Sequence, residues 1–215
     1  MSLKKLAYST IKDKIINCEY PPGELLNENL LATELNISRT PIREALSHLQ
    51  EEGFIRIMLK KGIMVSSITI ADMRQVYQIR IEIEPFGVLL AGPQLKSKDL
   101  LHFRELFTNQ LTKSDMLQRL ETDTSFHRYI AMNCNNKYLL QILNRVLDEN
   151  KRITIFNNNA ERVEHSHDEH LKLIDALLTT DYDYSSKVMR MHIENCRDSA
   201  FANFLKKNEF TSGLV

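Results

Sequence analysis

Four residues in the second part of the chain have the types and spacing that metal ions require. Asp123 and His127 are four residues apart, so they would share one face of a helix. His170 falls on the apolar stripe of a second helical segment, and His192 falls on that of a third. A carboxylate and imidazoles that point inward from three helices are suitable donors for a metal site in a bundle. A divalent cation would also satisfy buried polar groups that are costly to desolvate alone.

The same residues have a second interpretation. A histidine on an apolar face is often a hydrogen-bonded core residue, and an Asp–His spacing of four is often a simple pair. Two further histidines, His165 and His167, crowd close to His170, and His167 lies near the same stripe. The pattern therefore leaves open whether a metal binds and which of these histidines would bind it.

A second group of residues, near the N-terminus, suits contact with DNA. Arg39 and Arg43 are four residues apart and share the helix face opposite an apolar stripe formed by Ile42, Ala45, Leu46 and Leu49. One arginine can donate two hydrogen bonds to guanine, which contributes about 1–3 kcal/mol of discrimination. Lys60 and Lys61, at the tip of a predicted hairpin, would reach a phosphate or the minor groove. Simple solvation of the two arginines explains their spacing equally well.

The elements that must position these residues form two regions. Residues 1–68 have the pattern of three helices and a short β-hairpin, the order typical of a winged helix-turn-helix. Residues 69–215 have an almost continuous helical period, which predicts an all-α antiparallel bundle. Its six helices are expected at about 70–91, 97–112, 115–133, 136–156, 160–179 and 183–207. The predicted fold class is therefore mainly α, and the content of only 6 Gly and 5 Pro also favours long helices.

The start of the third predicted helix carries a specific motif. The sequence SRTPIREAL runs from Ser38 to Leu46 and is followed by Glu52-Gly53 and the hairpin. In this order it resembles the DNA-binding domain of GntR-family bacterial transcription regulators, over about 70 residues. The resemblance implies that Arg39 and Arg43 contact bases or phosphates, and it implies supporting contacts from Ser38, Thr40 and the wing turn at Gly62. Many members carry an arginine where this chain has Asn29, so the operator sequences of relatives cannot be assumed for this protein.

The second region carries four motifs of its own. They are Arg80-x-x-x-Glu84, Asp123-Thr-Ser-Phe-His127, Glu169-His170-Leu171 and Met189-x-x-His192. They resemble the all-helical (FCD-type) ligand-binding domain of the FadR-like branch of the GntR family, over residues 72–205. In many members an aspartate and three histidines bind a divalent metal such as zinc or nickel. The resemblance assigns that role here to Asp123, His127, His170 and His192, and the Glu169-His170 pair selects His170 over His167.

An effector is expected beside the metal. Four protein ligands leave one or two positions open on a metal that accepts five or six, and a small carboxylate suits them. Arg80 is the candidate for the other end of that molecule, through paired hydrogen bonds, although an ion pair with Glu84 is equally compatible with its position. The resemblance implies an organic acid or a sugar acid.

Charge and hydropathy indicate how strongly the protein is attracted to DNA and where in the cell it is expected. Lys+Arg and Asp+Glu are equal at 28 each, and residues 1–70 hold 9 cationic against 8 anionic side chains. Non-specific attraction to DNA should therefore be modest, and specificity should depend on a few placed cations. No run of 18 apolar residues and no signal peptide is evident, and the 3 cysteines are widely separated. We expect a cytoplasmic protein without a membrane partner.

The combined prediction is a homodimeric regulator, not an enzyme. It would bind a near-palindromic double-stranded operator, and the effector would control that binding. A metalloenzyme that activates water at the open metal position is the first alternative, but no separate general base is identifiable. A regulator that senses the metal itself is the second.

Overall fold

The computed structural model describes residues 2–58, 62–113, 116–158 and 160–212. The chain divides into two compact units between Thr69 and Ile70. The first unit contains three helices, α1 (Leu3–Ile16), α2 (Glu28–Glu34) and α3 (Arg39–Glu51), and three strands, β1 (Leu25–Leu26), β2 (Ile55–Met58) and β3 (Gly62–Val65). The second contains α4 (Ile70–Ala91), α5 (Ser97–Lys113), α6 (Met116–Met132), α7 (Lys137–Asn157), α8 (Ala160–Leu178) and α9 (Tyr182–Ser212), with a 3-10 turn at Gly92–Gln94.

The sheet of the first unit has one strand more than the predicted hairpin. Its order is β1-β3-β2 and both pairings are antiparallel, with Leu25 opposite Met64 and Ile57 opposite Ile63. A strand of two residues has no alternation from which it could be predicted. Gly62 has a φ of +101°, and a Cβ there would lie 3.3 Å from the Leu26 carbonyl oxygen, so the start of β3 requires glycine.

The first unit is held together by an apolar interior. Ile11 and Ile15 of α1, Ile42 and Leu49 of α3, and Phe54 are all essentially inaccessible to solvent. Because the apolar residues of α3 recur at helical spacing and all face this core, the helix must expose its opposite face.

The second unit is a helical bundle in which α4 packs against α6, α7 and α9. The helices begin and end within a few residues of the predicted positions, because each apolar stripe is bounded by turn-forming residues such as Gly92. A Cβ on Gly92 would lie 2.3 Å from the Tyr182 ring, so only glycine allows the start of α9 to approach so closely. Within the described residues, no helix is both long enough and apolar enough to cross a membrane.

Candidate metal centre and nucleic-acid interface

Three helices bring one carboxylate and three imidazoles together inside the second unit. Asp123 and His127 lie on α6, His170 lies on α8 and His192 lies on α9. One ligand atom from each lies within 4.8 Å of every other. The Nε2 atom of His170 is 3.2 Å from His127 Nε2 and 3.1 Å from Asp123 Oδ1. The spacing of four between Asp123 and His127 places both on one helix face, as predicted.

Outer carboxylates orient two of the three imidazoles. Glu84 of α4 contacts His127 Nδ1, and Glu169 Oε2 is 2.8 Å from His192 Nδ1. When Nδ1 donates to a carboxylate, Nε2 is left as the metal-binding atom and the ring cannot rotate freely. Cationic groups hold these carboxylates in turn, since Arg80 pairs with Glu84 and Arg162 pairs with Glu169.

His170 is positioned differently. Its ring stacks on Phe107 with a centroid separation of 4.5 Å and an interplanar angle of 8°. Its Nδ1 atom is buried and has no hydrogen-bond partner. On its Nδ1 side this imidazole is therefore held by packing, whereas its Nε2 atom faces Asp123. His167, the neighbour that the sequence left as an alternative, is also buried, but its Nδ1 faces the Phe107 carbonyl oxygen at 3.2 Å.

The electrostatics of the cluster favour charged carboxylates. Burial alone would raise the pKa of Glu84, but the Arg80 guanidinium and the His127 imidazole outweigh it and lower that pKa to about 2. The pKa of Asp123 is also lowered, because hydrogen bonding and attraction to His170 outweigh its burial. Desolvation lowers the pKa of His170 to about 3, so this ring is neutral near pH 7. For His192, burial is outweighed by the Cys196 sulfur and the Glu169 carboxylate, and its pKa rises to about 10.

These donors fit a divalent transition metal. One carboxylate oxygen and three imidazole nitrogens suit zinc or nickel better than the oxygen-only ligand sets that calcium and magnesium prefer. Without a metal, the raised pKa of His192 favours a positively charged ring next to Asp123 and Glu169. A metal ion bound at this ring would displace its proton. The chain thus contains a possible His/Asp metal site with its supporting carboxylates already in place.

A cavity of about 40 Å³ lies beside Asp123. Arg80 and Arg162 both line it, and so do the thiol of Cys196 and polar side chains of α7. Arg80 is 1% exposed and pairs with Glu84, so the ion pair that the sequence offered as one role exists. Because the same side chain also borders the cavity, it is within reach of a ligand bound there.

The residues expected to contact DNA lie on the exposed face of α3. Ser38, Arg39, Thr40 and Arg43 are all exposed, and the Nε of Arg43 donates to Glu28 Oε1 of α2 at 2.8 Å. Ser38 occupies the N-cap position, but its side chain makes no capping hydrogen bond. Gly62 opens β3, whereas Lys60 and Lys61 lie outside the described residues.

Sequence reasoning did not assign a site role to several residues around the metal cluster. Glu84 was considered only as a partner of Arg80, and Arg162 and Cys196 were not considered as site residues at all. Glu84 does carry a signal, because it lies on the same buried stripe of α4 as Tyr77, Ile81 and Val88. A carboxylate on such a stripe needs a buried partner.

Comparison with known proteins identifies both units. Residues 75–195 match the FCD domain family, and residues 3–65 match the gntR family of bacterial regulatory proteins. The HTH-type transcriptional repressor GlaR of Escherichia coli is 29% identical over 201 residues, which cover 86% of this chain and 90% of that protein. The gluconate operon transcriptional repressor of Bacillus licheniformis is 26% identical over 212 residues, with 94% and 87% covered. The uncharacterized regulator YdhC of Bacillus subtilis is 30% identical over 147 residues, which are 66% of this chain and 65% of that protein.

Solved structures show the same fold. Escherichia coli McbR/YncC has a TM-score of 0.82 at 21% sequence identity, covering 97% of this chain and 99% of that one. A putative GntR regulator from Rhodococcus sp. RHA1 also has a TM-score of 0.82, at 20% identity, with 94% and 99% covered. Regulators of the family bind DNA operators and typically act as dimers, and its members are not enzymes. The chain therefore belongs to the GntR family of bacterial transcriptional regulators, in the group whose second domain is an FCD domain.

Proposed function

We propose that this regulator binds a near-palindromic operator as a homodimer and that a small carboxylate, bound beside a divalent metal, controls its affinity for DNA. Residues 1–68 would form the DNA-binding domain, and residues 69–215 would bind metal and effector and form the dimer. Zinc or nickel would be held by Asp123, His127, His170 and His192. The observation that carries the proposal is the convergence of these four residues beside a cavity that Arg80 borders.

On DNA, the exposed end of α3 would enter the major groove. Arg39 and Arg43 would contact guanines or phosphates, Ser38 and Thr40 would contact the backbone, and the wing at Lys60, Lys61 and Gly62 would contact a flanking phosphate. The free hydroxyl of Ser38 and the exposure of both arginines support this arrangement. Dimerisation would double this small set of contacts, which offsets the neutral net charge.

In the bundle, a bound metal would supply a Lewis-acidic position for one end of the effector. Glu84 and Glu169 would hold the ligating rings, and Arg80 would bind the carboxylate through its guanidinium. The protein would have one state with high affinity for DNA and one with low affinity. An effector that binds one state better than the other shifts the equilibrium between them by that difference in its affinity. The metal is thus a structural part of the effector site in this proposal, and the effector is the signal.

The proposal is tested on the full chain in three steps. Selection from a random DNA library would give the bound sequence, and native mass spectrometry would give the number of protein chains on it and the metal content. Fluorescence anisotropy of that DNA would then be measured with metal-loaded protein and a panel of small carboxylates. Operator affinity that follows metal concentration and ignores every carboxylate would favour metal sensing, and failure to select any sequence would contradict the DNA-binding role.

A further inference from the structure

Two asparagines that line the cavity beside Asp123 have amide oxygens without hydrogen-bond partners. Asn150 and Asn157 lie on α7 at a spacing of seven, with Thr154 between them, so all three line the cavity from one helix face. Asn150 is 7% exposed and Asn157 is 1% exposed. The Oδ1 atom of each is buried without a partner. Unpaired buried acceptors are costly, so their presence on a cavity wall indicates a ligand that donates to them.

The orientation of the Asn157 amide is fixed by its other contact. Its Nδ2 donates to the Ala200 carbonyl oxygen at 3.3 Å. Turning the amide over would place two acceptor oxygens against each other, so Oδ1 must be the atom left without a partner. An acceptor of this kind selects a hydroxyl or an N–H group on the ligand.

We propose that Asn150 and Asn157 form a hydroxyl-binding subsite and that the effector is a small hydroxylated carboxylate rather than an unsubstituted acid. This inference rests on the proposed function, since the carboxylate would bind at the metal and Arg80. The cavity of about 40 Å³ favours a short carbon chain. An unsubstituted acid would bury both amide oxygens without a donor, and sites built for hydrogen bonding reject ligands that lack the partner group.

The test compares acids that are matched in carbon number. Isothermal titration of the zinc-loaded full chain would use propionate against glycerate and butyrate against threonate. We expect each hydroxylated acid to bind at least about tenfold more tightly than its unsubstituted counterpart. We expect Asn150→Leu and Asn157→Leu to lose that preference while they still bind the unsubstituted acids. Asn144→Leu is the matched control, because Asn144 lies on the same helix, also has a buried Oδ1 without a partner, and does not line the cavity.

A second measurement needs no effector. In metal-free, ligand-free protein, Asn150→Leu should leave the melting temperature unchanged or raise it, because the substitution removes an unpaired buried acceptor; an asparagine with a structural role would lower it.

Each outcome bears on the proposal. Equal affinity for hydroxylated and unsubstituted acids would overturn this inference and leave the proposed function intact. A fall in melting temperature for Asn150→Leu would also overturn it. Binding of none of the acids while zinc still binds would overturn both this inference and the carboxylate part of the proposed function.

Discussion

The two units of this regulator place their charged groups in opposite ways. In the first unit the interior is apolar, and Ser66 is the one buried polar residue among its described residues. The arginines of α3 lie on the surface. In the second unit the interior contains Arg80, Glu84 and the three histidines of the cluster, none of which is more than 3% exposed.

In the first unit, the residues that would bind DNA are therefore different from those that stabilise the fold. In the second unit, the same buried residues would do both. Surface substitutions on α3 remove no packing, so they should change DNA binding without changing the stability of the fold. The buried charges of the bundle depend on one another, and removal of one partner leaves another buried charge uncompensated. The metal cluster should therefore affect both ligand binding and folding.

The largest expected effect is on DNA binding. The double substitution Arg39→Ala, Arg43→Ala should weaken binding to the selected operator by about 30- to 25,000-fold, because each arginine supplies roughly 1–3 kcal/mol. The melting temperature should stay unchanged, since exposed substitutions contribute within about 0.5 kcal/mol. Anisotropy titration and calorimetry check both statements. Arg74→Ala removes the same type of exposed charge from the other unit and is the control; full specificity in the double variant would refute the role of these arginines.

Metal removal should distinguish the two units. A bound ion stabilises the folded state by about 4 kcal/mol when its free concentration is about 1,000 times the dissociation constant. For a unit of this size that corresponds to a melting temperature about 8–16 °C higher. Hydrogen exchange with and without a chelator should show loss of protection in α6, α8 and α9 and none in α1 to α3. Equal loss in both units would contradict the separation.

The outer carboxylate Glu84 should have a smaller effect, confined to the bundle. Glu84→Gln keeps the shape of the side chain but weakens its hydrogen bond to His127, and such changes typically reduce metal affinity by about 10–100-fold. Competition with a chelating dye would measure the zinc affinity. Glu82→Gln on the same helix is the control, because Glu82 is exposed and pairs with Arg190. Similar losses in both variants would argue against an orienting role.

The smallest expected effect concerns the contact between Glu28 and Arg43. Since this pair is exposed, the contact is weak, and Arg43 must leave it to contact DNA. Glu28→Gln should therefore strengthen operator binding by about two- to fivefold at low salt. Glu51→Gln, which removes an exposed charge from the last residue of α3, is the control. Weaker binding by the Glu28 variant would mean that the contact orders Arg43 for DNA.

The sequence predicted the fold class and most element positions well, for identifiable reasons. The stripe of Ile42, Ala45, Leu46 and Leu49 repeats at helical spacing, so α3 and its exposed face follow directly. The six long helices are separated by turn-forming residues. The two-residue strand β1 was missed because its pairing partner, β3, lies about 38 residues further along the chain and local pattern carries no information about it.

Local sequence pattern is sufficient for one part of this protein: which segments are helices, which faces are apolar, and which residue types resemble those of GntR regulators with an FCD domain. It placed Asp123 beside His127, because a spacing of four is a contact within one helix. The motif resemblance also predicted that His170 and His192 join them, although local spacing could not. Only the packing of the helices shows that Glu84 and Glu169 orient two of the rings and that Asn150 and Asn157 line the same cavity. These relations connect different helices, and they depend on how the helices pack rather than on any local period.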